Sequence, residues 1–221
     1  MVPDQFGKLT KPDTDEAVTL LLASGNEWKP FAPSPDDFEW SDITIGASRI
    51  PRFGGQLSPK YGVDASSNYV LAQHLCLAHD LAFAGGETRP EILLAVLLHD
   101  AEEPLGGLGD PVGPVKHAPR FRELLKAYYA PIIDAIADKA GLARDLLHGD
   151  PRIKIWDKQA YKIENWYLRG LRDGDVPTLP AGHRKRIHDE MAIWATMHAH
   201  YEFYGRLDRA LTLHWVAKDG A

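Results

Sequence analysis

The sequence predicts an all-α helical bundle. Apolar residues recur at helical spacing in the long segments, Pro and Gly fall between those segments, and no stretch of any length alternates with period two. At 221 residues, a single domain spanning 1–221 is long enough to bury most of its apolar surface around one core.

Each element has its own reason. "TDEAVTLLLASG" takes Thr14 as a candidate N-cap and stops at Gly25, which predicts a helix. "PSPDDFEWSDITIGASRI" is a polar connection leading into a short helix, and "PRFGGQLSPKYGVDASS" carries enough Pro and Gly to be a loop. The pattern is then helical from Tyr69 to Ala84, closed by Gly85-Gly86, and from Arg89 to Glu103, closed near Pro104 and the Gly-rich "PLGGLGDPVGP". Helices over "PRFRELLKAYYAPIIDAIADKAG", "PRIKIWDKQAYKIENWYLRG" and "AGHRKRIHDEMAIWATMHAHYEFYGRLDRALTLHWVA" complete the bundle, with Gly205 as the candidate breaking point of the last.

Composition excludes several function classes. The net charge is −6, and the one dense basic stretch, "HRKRIH" at 183–188, is too short to make a nucleic-acid footprint. It reads as a solvated helix face, with a homo-oligomer contact as the lesser alternative. The N-terminus lacks the apolar core of a signal peptide, and no apolar run approaches the roughly 18 residues needed to span a bilayer, so a cytoplasmic protein with no membrane partner is expected. Cys76 is the single cysteine. It reads as a small buried hydrophobe, and a disulfide framework or cysteine zinc site within one chain is excluded.

The chemistry concentrates in "LLAVLLHDAEE", residues 93–103, where an apolar helix of the kind normally buried runs into His99, Asp100, Glu102 and Glu103. Of the three His-Asp dipeptides, at 79–80, 99–100 and 188–189, only His99-Asp100 ends a run of seven apolar residues. A divalent cation would remove the charge conflict; the competing reading is a helix that has simply emerged into water. His74, on an apolar-striped helix, and Asp157, in "IKIWDKQAYKIENW", tilt the choice. Each has an ordinary explanation, a hydrogen-bonded core histidine and a salt-bridge partner. Together with His99-Asp100 they supply two nitrogens and two oxygens from separate helices, a ligand set for one divalent ion such as Mn, Fe, Co, Ni or Zn. His-Glu-x-x-His, paired Glu-x-x-His, Gly-x-x-x-x-Gly-Lys and Gly-x-Ser-x-Gly patterns are absent.

The order His74, His99-Asp100, Asp157 resembles the defining motif of the HD-domain metal-dependent phosphohydrolases. "SGNEWKPFAPSPDDFEWSDITIGASRIPRFGG", "YVLAQH", "LLHDAEE", "GDPVGPVK" and "DKQA" are similar, in this order and over about residues 24–165, to segments of the bacterial 5'-deoxynucleotidase group and its phage-borne relatives, among them a dATP triphosphohydrolase. The resemblance implies an HD-type helical bundle in which His74, His99, Asp100 and Asp157 hold one divalent ion, Mg included. It implies that Glu103 positions or deprotonates the attacking water, that Arg52 and Phe53 contact substrate, that Asp110 meets the sugar and that Lys116 meets phosphate. The stretch from Arg52 to His74 and the stretch from Glu103 to Asp110 are both longer than usual for the group, beside the expected substrate pocket.

The spacing agrees with these roles. On a helix, Glu103 would share a surface with His99, four residues back, and with Asp100, three back, whereas Glu102 would point about 100° away, toward solvent or a supporting contact. The expected activity is hydrolysis of a small nucleotide, a deoxynucleoside 5'-monophosphate giving deoxynucleoside and phosphate. A deoxynucleoside triphosphate triphosphohydrolase is the alternative within the class, and an inactive nucleotide-binding regulatory module the alternative outside it. Arg52 also has a purely structural alternative, pairing with an acid such as Asp42.

Overall fold

The computed structural model describes residue 15 and residues 18–57, 68–171 and 193–220. Their elements are a two-stranded hairpin, β1 (Leu20–Leu21) and β2 (Glu27–Trp28), followed by helices α1 (Trp40–Ala47), α2 (Leu71–Ala84), α3 (Pro90–Leu98), α4 (Glu102–Gly106), α5 (Gly113–Lys116), α6 (Pro119–Ala140), α7 (Arg144–Leu147), α8 (Pro151–Leu168) and α9 (Thr196–Asp219), with a 3-10 turn at Arg52–Gly55. The all-α class therefore holds.

The centre of the bundle is α2. Nearly its whole circumference is apolar, and all but three of its residues are buried, as expected of a helix with no polar face to turn to water. It packs on α3, α8 and α9, while α4 lies between α1 and α6. Cys76 is buried there, and no described helix is long and apolar enough to cross a membrane.

Three expectations need correction. The segment ending at Gly25 does not continue as a helix: Leu20 pairs with Trp28 and Leu21 with Glu27 across a turn in which Gly25 has φ 90°. The Ser24 amide and hydroxyl donate to Asp42 at 2.7 and 2.9 Å, and Trp28 is buried with Nε1 donating to the Leu105 carbonyl at 2.8 Å. Burying that indole and satisfying its N–H outweighs the weak helix preference of a Val-Thr start. Thr14 itself lies outside the described residues.

The second correction concerns 89–103, which is two helices. A continuous helix would drive the Pro104 ring into the Asp100 carbonyl and leave it without an N–H donor. Instead the chain tightens: Ala101 N donates to Leu98 O, and Glu103 N takes the Asp100 carbonyl at 3.2 Å. Pro104 then sits in the first turn of α4, where no N–H is required. Third, α9 runs unbroken through Gly205. The "HRKRIH" stretch and His188-Asp189 lie outside the described residues.

Candidate metal centre

Four side chains from three places in the fold converge. His74 stands on the first turn of α2, His99 and Asp100 occupy the tightened junction between α3 and α4, and Asp157 lies on α8. The Nε2 atoms of His74 and His99 are 3.2 Å apart. Asp157 Oδ1 lies 3.3 and 3.7 Å from them, and Asp100 Oδ2 lies 4.0 and 3.5 Å from them. Ligands held at about 2.1 Å by one ion have a tetrahedral edge of about 3.4 Å, so this spacing suits a single cation. His74, His99 and Asp100 by themselves form a group whose ligand atoms all lie within 4.8 Å of one another.

The partners of the other ring nitrogens decide what the two Nε2 atoms are. His74 Nδ1 meets Glu164 Oε1 at 2.7 Å, and His99 Nδ1 meets the Val96 carbonyl at 2.7 Å. Both oxygens only accept, and at His74 the 2.7 Å contact with Glu164 outweighs the 3.4 Å approach of Arg52 NH2, so both Nδ1 atoms carry hydrogen and both neutral rings aim an Nε2 lone pair at the same spot. Two lone pairs facing each other and two carboxylates are mutually repulsive unless something positive lies among them. A metal ion fits this donor set, as do two extra protons.

Charge points the same way. Six carboxylates, Asp100, Glu102, Glu103, Asp110, Asp157 and Glu164, gather around two permanent cations, Arg52 and Lys116. Burial, reinforced by Asp100, pushes Glu102 up to about 8 and Glu103 well above the usual carboxylate range. The carboxylates still outnumber the two cations, an excess of negative charge that a divalent ion would offset. Without such an ion the histidines must carry the balance: burial opposes their protonation, yet Asp100 and Asp157 hold His99 up at about 9. Burial likewise works against Asp100, but Lys116 and His99 bring it down to about 2.

Arg52 reaches this centre through its backbone. Its amide donates to the Tyr69 carbonyl at 2.8 Å and Leu71 N donates to Ile50 O at 2.9 Å, tying the residues before the 3-10 turn to the start of α2. The guanidinium then donates to Asp110 at 3.0 Å and lies 3.5 Å from Glu164 and 3.9 Å from Asp100. Asp42, offered by the sequence as its structural partner, instead caps the start of α1 and accepts from Ser24. Lys116 donates to Glu103 at 2.8 Å and stands 3.9 Å from Asp100. Glu103 is fully buried, and its second oxygen has no hydrogen-bond partner.

The nine residues singled out from the sequence thus divide. His74, His99, Asp100 and Asp157 meet; Glu103 joins them through Lys116, and Asp110 through Arg52. Phe53 adjoins Arg52 with its ring 5.6 Å from the guanidinium carbon. The reading of this cluster as a helix end emerging into water fails, because the Asp100 side chain is only 15% exposed and Glu103 not at all. Glu102 does not face solvent either; it is buried. Glu164 was missed. It lies two turns beyond Asp157 on the same face of α8, and that seven-residue spacing in "DKQAYKIE" was the available clue.

No family model matches the chain. Over 98 residues, 44% of this chain, it is 36% identical to an uncharacterised protein of Rhodobacter capsulatus, and the chain spans about half (46%) of that relative's length.

Proposed function

We propose that this protein is a metal-dependent phosphohydrolase of the HD-domain type acting on small nucleotides, with a deoxynucleoside 5'-monophosphate as substrate and His74, His99, Asp100 and Asp157 as ligands of one divalent cation. The observation that carries the reading is the pair of Nε2 lone pairs aimed at one point among carboxylates that outnumber their cations. A cation held there would lower the pKa of a water toward neutrality and draw charge from a phosphoryl oxygen.

The chain's own residues supply the rest. Glu103 is a buried carboxyl with a raised pKa and one unpartnered oxygen, suited to taking up or delivering a proton. Lys116 offsets negative charge where Glu103 and Asp100 meet and is the more accessible of the two cations, its side chain 32% exposed. Arg52 keeps Asp110 and Glu164 in place and, through Glu164, keeps the His74 tautomer that leaves Nε2 available.

The test is a panel of ribo- and deoxynucleoside mono-, di- and triphosphates assayed with Mn, Co, Ni, Zn and Mg, beside elemental analysis of the purified chain. Release of phosphate from deoxynucleoside monophosphates is expected, and Glu103→Ala should keep the metal while losing on the order of 100-fold or more in turnover. A chain that takes up none of these ions, and gains no thermal stability from them, overturns the reading. Release of triphosphate would move the substrate to the triphosphate class.

A further inference from the structure

Beside the centre, one patch combines an unusual backbone with aromatic chemistry. Phe53 has φ 57° and ψ 25°, the one non-glycine residue with positive φ among the described residues. A bulky side chain seldom adopts this left-handed conformation, and such conformations persist where the surroundings over-determine them, notably at ligand clamps. Here the conformation sets the Phe53 ring 6.2 Å from that of Tyr161, tilted by 40°. Tyr161 stands one helical turn beyond Asp157 on α8 and is 42% exposed, so the ring pair can be reached from solvent.

Arg169 completes the patch. Its guanidinium carbon lies 4.9 Å from the Phe53 ring centroid, and NH1 donates to Asn165 Oδ1 at 2.9 Å. Arg52 and Lys116 are committed to carboxylates; Arg169 meets none among the described residues. The patch therefore offers two aromatic rings, the more exposed being Tyr161, and a guanidinium with donors to spare, a combination that takes a flat heteroaromatic ring by stacking and by hydrogen bonds to its acceptor edge.

We infer that Phe53, Tyr161 and Arg169 form the subsite that receives the base of the nucleotide, with Tyr161 and Arg169 determining how strongly the base contributes to binding. The inference rests on the nucleotide reading above and adds to it residues on α8 and at its C-terminal end.

The experiment compares a deoxynucleoside 5'-monophosphate with deoxyribose 5-phosphate, which differ only in the base, using the full chain loaded with Mn. Calorimetric binding and, where turnover occurs, kcat/KM are measured for the parent chain and for Tyr161→Ala, Tyr161→Phe and Arg169→Ala. The parent should prefer the base-bearing ligand. Tyr161→Ala and Arg169→Ala should each lose between about five- and hundredfold on that ligand, the range of one lost stacking contact, with the loss confined to it, and Tyr161→Phe should restore the preference. Equal losses on both ligands, which would make Arg169 a phosphate contact, overturn the inference. So does a parent chain that binds both ligands equally or neither. Base-dependent binding without turnover leaves the subsite standing and removes the hydrolase reading, whereas turnover without base preference does the reverse.

Discussion

Two His-Asp dipeptides sit in the core of this protein, twenty residues apart, and they have opposite fates. Asp80, near the middle of α2, is buried against Arg206 of α9, whose guanidinium meets it at 2.9 Å, and His79 Nδ1 lies 3.0 Å from the same carboxylate. Arg206 also holds Glu202 one turn back at 2.6 Å. Asp100, at the α3–α4 junction, is partly buried among more carboxylates than cations, with two imidazole Nε2 atoms pointed into the gap. The first dipeptide is closed: its buried carboxylate meets a buried guanidinium, and the pair ties two helices together. The second is left open, with more carboxylates than permanent cations around it.

That contrast can be broken most forcefully at the closed pair. Arg206→Met should leave Asp80 buried without its cation and lower stability by about 3–5 kcal/mol in chemical denaturation, while the metal content of the folded fraction stays that of the parent. A large loss of metal with little loss of stability would mean that the two regions had been assigned the wrong way round.

At the open centre, Glu164→Gln should preserve an acceptor for His74 Nδ1 but remove the charge behind it. Removing such a partner costs about 10–100-fold in metal affinity, readable by competition with a fluorescent chelator. Unchanged affinity would show that Glu164 serves only Arg52.

The pH dependence sharpens the comparison further. Glu102 has a folded-state pKa of about 8, raised by burial and by Asp100, against an ordinary value near 4.5. Between these values the folded chain holds a proton that the unfolded chain has released, so this contribution to stability is complete below about pH 4.5 and is lost as pH rises through 8. The slope is about 1.4 kcal/mol per pH unit within the window. Glu102→Gln should flatten it, which thermal unfolding of the metal-free chain from pH 5 to 9 would detect. A parallel pH profile for the two chains would place the Glu102 carboxyl in contact with water.

The smallest effect belongs to His79. His79→Ala should change stability by no more than about 0.5 kcal/mol and leave metal uptake as it was, since Arg206 already balances Asp80. Loss of metal in that variant, measured by elemental analysis, would join the two dipeptides into one site.

Much of this was legible in the sequence because it was local. The long helices followed from spacing and from Pro and Gly punctuation, and His99-Asp100 announced itself by ending seven apolar residues. What escaped was long-range or short. Arg206 pairs with Asp80 across 126 positions and Glu164 with His74 across 90, distances over which no periodicity speaks. The strands are two residues each, too few to show alternation, and their formation depends on where Trp28 finds a carbonyl, 77 residues away. Pro104 was read as a helix end, but its effect falls four residues earlier, on the Asp100 carbonyl, and there it sets the geometry of the very residues that form the centre.

The tie between Arg52 and the start of α2 carries a consequence of its own. Two backbone hydrogen bonds, from Arg52 N to Tyr69 O and from Leu71 N to Ile50 O, join residues 50–52 to residues 69–71. Because both bonds involve main-chain atoms, they do not depend on which side chains the intervening stretch carries. The two bonds therefore hold the Arg52 guanidinium and the His74 imidazole in register through main-chain atoms alone.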